Sequence, residues 1–202
     1  MPRSDPPAVP VSGELMGAQF LTWLWHAAQN GVEMALSGRP VRFAVADLLK
    51  LKAPDGSGAE VSVKGEFAAQ AEEVYTALSR GALFYQAKFQ VDVGGVVSVG
   101  TLKAAALALS AVKLPKNPEV TGEGPYTERG ERPGEEARTP RADLEDETRL
   151  LDRMAMLDDA QAAVDQAFKD FLTLRASKGG YEAWVERLHA DLAAASAARE
   201  GA

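Results

Sequence analysis

The 202-residue chain has no cysteine and only two histidines, His26 and His189. Without cysteine there can be no disulfide, no thiolate metal site and no thiol nucleophile, which agrees with a reducing, cytoplasmic setting. The histidines offer little more. Glu186-Arg187-Leu188-His189 has the Glu-x-x-His spacing of di-iron bundles, but that centre needs a second such pair and two further carboxylates on facing helices. His26 has no acidic residue at a ligand spacing, so no metal is expected. Long apolar runs are also missing: the longest, Ala104 to Val112, falls far short of the roughly 20 residues of a membrane span. Met1 to Pro10 is proline-rich and lacks the apolar stretch of a secretory signal, so no membrane association is expected. No Gly-rich loop ends in Lys-Ser/Thr, no Gly-x-Ser-x-Gly elbow occurs, and no Gly-x-Gly-x-x-Gly follows a strand. Gly122-Glu123-Gly124 lies in a linker. The expectation is a protein without cofactor and without catalytic activity.

Positive charge is scarce overall, with 22 Lys+Arg against 29 Asp+Glu and a net charge of −7. It is not scarce everywhere. Residues 1–120 carry 11 basic and 11 acidic residues, whereas 121–202 carry 11 and 18, so the whole imbalance lies in the C-terminal part. A bulk basic footprint is absent, and any contact with nucleic acid must come from a local arrangement.

Hydrophobic periodicity divides the chain into a flexible leader (1–13), an α+β core (14–119), a disordered linker (120–142) and a helical hairpin (143–202). Met16, Phe20, Trp23, Leu24 and Ala27 recur at spacings of three and four and predict a helix from Glu14 to Asn30, stopped by Asn30-Gly31. Period two then predicts three short strands: Val41–Val45, Leu49–Leu51 and, after the turn at residues 54–58, Val61–Val63. A helix is expected from Glu66 to Ser79 with Phe67, Val74 and Leu78 on its apolar face. A hairpin follows, Ala82–Val91 and Val96–Val99, continuing toward Val112. Residues 120–142 are rich in Gly, Pro and charge and hold too little apolar area to offset ordering entropy. Beyond them Leu150, Met154, Leu157, Val164, Phe168 and Phe171 form the stripe of one long helix, and Gly179-Gly180 turns it into a second. The fold class is therefore α+β, an antiparallel sheet with packed helices plus a long C-terminal helical hairpin.

Strand alternation offers the candidate site. Arg42, Lys50, Lys52 and Lys64 could share the solvent side of one sheet with Lys88 beside them, a row suited to phosphates, although lysine also guards solvent-facing strands against edge pairing. Lys113 and Lys116 flank Leu114-Pro115 as weaker candidates. Trp23, Trp25 and Trp184 lie on apolar or amphipathic helices, where packing rather than base stacking is expected. Leu21 and Trp25 project away from the first helix's stripe and are candidates for a partner interface. The acidic start of the long helix suits its dipole and could also recruit a basic partner.

Several of these stretches together resemble the C-terminal half of the recombination-associated protein RdgC family, in its divergent "FLTWLW" branch. They are Gln19-Phe20-Leu21-Thr22-Trp23-Leu24-Trp25, Lys64-Gly65, Arg80-Gly81, Val112-Lys113-Leu114-Pro115, Leu150-Leu151-Asp152-Arg153-Met154 and Phe168-Lys169-Asp170-Phe171-Leu172. The resemblance implies a nucleoid-associated protein that binds duplex DNA without sequence preference and restrains RecA-dependent recombination. It implies a ring-like homodimer, yet the family's N-terminal half has no counterpart here before the Trp motif. Pairing with a full-length relative or another partner, without DNA binding, is the alternative.

Overall fold

The computed structural model of the chain describes residues 13–53, 59–115 and 142–200. The expected leader, except for Gly13, and the expected linker, except for Ala142, lie outside the described residues, as does Lys116. Helix α1 (Gly13–Gln29) leads into a six-stranded antiparallel sheet. Its strands are β1 (Met34–Leu36), β2 (Arg39–Lys52), β3 (Glu60–Lys64), β4 (Leu83–Val93), β5 (Val96–Lys103) and β6 (Ser110–Lys113). The order is β1-β2-β4-β5-β6, with β3 paired to the other end of β2. Helix α2 (Glu72–Ser79) follows β3, and α3 (Ala142–Ala176) and α4 (Gly180–Glu200) form the expected hairpin around Gly179 at φ +75°.

Two of the three expected strands are one. β2 runs unbroken through both, with an irregularity in its pairing to β4 between Val45 and Leu49. Four residue steps of β2 there oppose two of β4, an even surplus, so Leu49 and Leu51 keep the face of Val41 and Phe43. The predicted helix from Glu66 is likewise shorter. Gly65, at φ +124°, turns the chain, and a 3-10 turn at Ala68–Gln70 precedes α2. Phe67 therefore falls outside the helix and is 72% exposed rather than packed. After Lys103 the chain leaves the sheet and returns as β6, Leu107 taking a positive φ of 51° on the way and Ala111, within β6, one of 50°. β1 was not foreseen, since Met-Ala-Leu is too short to show a period.

Among the described residues the four helices lie on one face of the sheet. Val41, Phe43, Leu49, Leu51, Phe84, Ala87, Phe89, Val91 and Leu102 point toward them and join one core with Phe20, Leu21, Leu24 and Trp25 of α1, Val164, Ala167 and Phe171 of α3, and Trp184, Leu188 and Leu192 of α4. Polar contacts fix the layers. Arg39 grips Asp159 of α3 with two bonds of 2.7 and 2.6 Å, the bidentate geometry in which arginine is strongest. Thr22, wholly inside, donates to the Ala18 carbonyl at 2.9 Å and accepts from the Phe84 amide at 3.3 Å, satisfying a strand N–H where the β2–β4 register shifts.

α1 approaches the sheet so closely at one point that a side chain cannot intervene. A Cβ built on Gly17 would stand 1.9 Å from the Ala104 carbonyl oxygen and 2.7 Å from its carbon. Gly17→Ala should gain about 1 kcal/mol of helix propensity and lose more by lifting α1 off that turn, for a net loss of roughly 1–3 kcal/mol. Thermal unfolding followed by circular dichroism checks this: Tm is expected to fall by several degrees, and a raised Tm would contradict the contact.

Candidate nucleic-acid interface

The face opposite the helices is uncovered by any described element. Because β-strand side chains alternate, every residue between two buried neighbours points there. Arg42 lies between Val41 and Phe43, Lys50 between Leu49 and Leu51, and Lys88 between Ala87 and Phe89. Lys52 and Lys64 follow by the same alternation, Lys64 beyond Val61 and Val63, which pack on the core. Lys113 pairs with Val99 on this face. Six of the seven expected cationic residues are thus brought to one surface; the seventh, Lys116, lies outside the described residues.

One further cation was missed. Lys103 ends β5, and the register Ser62–Lys50–Gln86–Lys103 places it in a single cross-strand row with Lys50. Strands lie about 4.8 Å apart, so the two ammonium stems rise roughly 10 Å from one another. Its signal was the alternation Val97, Val99, Thr101, Lys103, hidden because the apolar run beginning at Leu102 reads as one piece.

The cations are not equally available. Arg42 is engaged by Glu33, its Nε donating to Oε1 at 2.7 Å. Lys88, only 20% exposed, donates to both carboxylate oxygens of Asp47, at 2.9 and 2.7 Å. That bond, aided by the charges of Lys88 and Lys113, holds the Asp47 carboxyl below its ordinary value despite some desolvation. Lys52 stands 4.3 Å over the Tyr85 ring, a cation–π contact that orients its stem without neutralising it. Lys50, Lys64 and Lys103 have no ion pair among the described residues. Asp47 also anchors the turn carrying Lys64, since its carbonyl accepts the Gly65 amide at 3.0 Å. The exposed Phe67 stands just beyond that turn.

Leu21 and Trp25, expected at a partner interface, are instead interior. Leu21 is fully buried and Trp25 is 2% exposed. Their second packing surface is supplied by the same chain: the Trp25 ring lies 5.6 Å from Phe84 and 5.7 Å from Tyr75, in β4 and α2. The Trp25 indole N–H finds no partner there.

The other polar cluster joins α1 to α4. Trp184 Nε1 donates to His26 Nδ1 at 3.3 Å, and His26 Nε2 lies 2.8 Å from Asp191 Oδ2. An indole nitrogen can only donate, so Nδ1 is the acceptor and Nε2 carries the proton to Asp191. Cavities of about 440 and 210 Å³ flank this chain. With both ring nitrogens committed, His26 has none left to take a proton from a nucleophile, and the cluster reads as a staple between helices. Among the described residues no three His, Cys, Asp or Glu side chains group as metal ligands, and no helix is long and apolar enough to cross a membrane.

Comparison of the chain with protein-family models, with curated proteins and with solved structures returned no match.

Proposed function

We propose that the chain is an RdgC-like, non-enzymatic protein that binds duplex DNA through the open face of its sheet, without sequence preference. The observation that carries this reading is the excess of positive charge on one layer. Arg42, Lys50, Lys52, Lys64, Lys88, Lys103 and Lys113 line the uncovered face against four carboxylates on or beside it, Glu33, Asp47, Glu60 and Asp92, while the acidic helices α3 and α4 lie behind the sheet. A protein with a net charge of −7 can approach a polyanion only by presenting such a surface and turning its acidic layer away. Rows of lysine and arginine on strands offer no helix to the major groove and few groups that could read base edges. The contacts are therefore with phosphates, which position without specifying. Association with recombination, in a nucleoid setting, follows from the family resemblance.

Electrophoretic mobility shift with a duplex of arbitrary sequence tests the reading. Retardation at about 20 mM salt with micromolar protein is expected, weakening steeply as salt rises and indifferent to sequence. No retardation at that lowest salt, where an electrostatic binder is strongest, overturns it.

A further inference from the structure

We propose that the N-terminal part of α3 is a docking surface for a basic amphipathic helix of another protein. Leu150, Leu151, Met154 and Leu157 are exposed by 59, 60, 53 and 40%, at spacings that place them on one side of the helix. They continue the stripe that buries Val164 and Phe171 farther along, for Leu150, Leu157, Val164 and Phe171 recur every seven residues. α3 has 35 residues and α4 only 21, too few to run back along its whole length. Met156, on another side of α3, is buried, so the body still covers the helix there while the seven-residue stripe drifts onto its open side. An isolated exposed leucine needs no explanation, but four large apolar side chains in one stripe form a patch suited to binding.

Charge selects the occupant. Residues 143–158 contain six acidic and two basic residues, a net of −4. A second copy, laid parallel or antiparallel, would set −4 against −4 over a helix pair about 24 Å long, since 16 residues rise 1.5 Å each. Anionic lipid would be repelled in the same way. A helix with aliphatic residues at a and d positions and lysine or arginine beside them buries the stripe and offsets the negative charge of the segment together. The surface lies on the helical layer, behind the sheet, and the proposal does not depend on DNA binding.

The test uses the full chain and two fluorescent peptides, each of about three leucine heptads, one flanked by lysine and one by glutamate. Saturable binding of the lysine peptide, no binding of the glutamate peptide, and at least about tenfold weaker binding by the Leu150→Gln/Met154→Gln variant are expected, from lost aliphatic burial. Both substitutions are at exposed helical positions, so an unchanged circular dichroism melt accompanies them. Equal binding of the two peptides, or a variant that binds as the parent does, overturns the proposal. So does a dimer in sedimentation that the variant abolishes, because the occupant would then be a second copy.

Discussion

Replacing Lys50, Lys64 and Lys103 together by glutamine is expected to reduce duplex DNA affinity by roughly 10²–10³-fold at about 50 mM salt, and to lower the slope of log K against log salt by about 2.7. These three have no ion pair among the described residues and span β3, β2 and β5, so on the proposed reading each counts as one independent phosphate contact. All three are solvent-side strand positions, and their loss leaves the core untouched. An unchanged melting curve separates lost binding from lost folding. Mobility shift across a salt series reads the slope, and a slope unaltered by the triple substitution would place the DNA contact elsewhere.

Asp47 makes the same argument in the opposite direction. It occupies Lys88, and Asp47→Asn should release that ammonium, steepen the salt slope by about 0.9 and tighten binding by up to about tenfold at low salt. Acidification does not mimic this substitution over the ordinary range. Because Lys88 holds the Asp47 carboxyl below its usual value, the pair persists from neutral pH down through about 4 and breaks only below that. Binding measured between about pH 7 and 5 should therefore show no gain from Lys88, while the Asn variant shows it throughout.

The candidate surface was legible to the extent that side-chain direction follows sequence parity. Arg42, Lys50, Lys52 and Lys88 each sit between two apolar neighbours, and such an alternation fixes the face whatever the strand order. What parity cannot give is pairing. That Glu33 takes Arg42 and Asp47 takes Lys88 depends on which strand lies next to which, and on a bulge that leaves the period of Val41–Val45 and Leu49–Leu51 intact while joining them. The helices were legible for the complementary reason, that a stripe sustained over Leu150 to Phe171 admits no other period. Their destination was not. Leu21 and Trp25 lie off the stripe of α1 and so looked surplus, but α1 is wedged between the sheet on one side and α2, α3 and α4 on others, and a helix packed that way has no solvent face to spare there.

That placement sets the largest expected effect on stability. Trp25→Ala should cost about 3–5 kcal/mol, the usual loss for truncating a buried aromatic, which is a large share of the 5–15 kcal/mol that holds a typical domain. Trp25→Phe should cost much less, because it keeps most of the ring contacts with Phe84 and Tyr75 and removes an indole N–H that is buried without an acceptor. Thr22→Val, nearly the same shape as the parent, should cost about 1–3 kcal/mol by stranding the Phe84 amide inside the core. Chemical denaturation of the three variants measures the order directly. A partner-facing Trp25 would give the reverse pattern, an alanine variant as stable as the parent and altered only in association. The ranking Trp25→Ala, then Thr22→Val, then Trp25→Phe is the signature of an interior held by packing first and by one well-placed hydroxyl second.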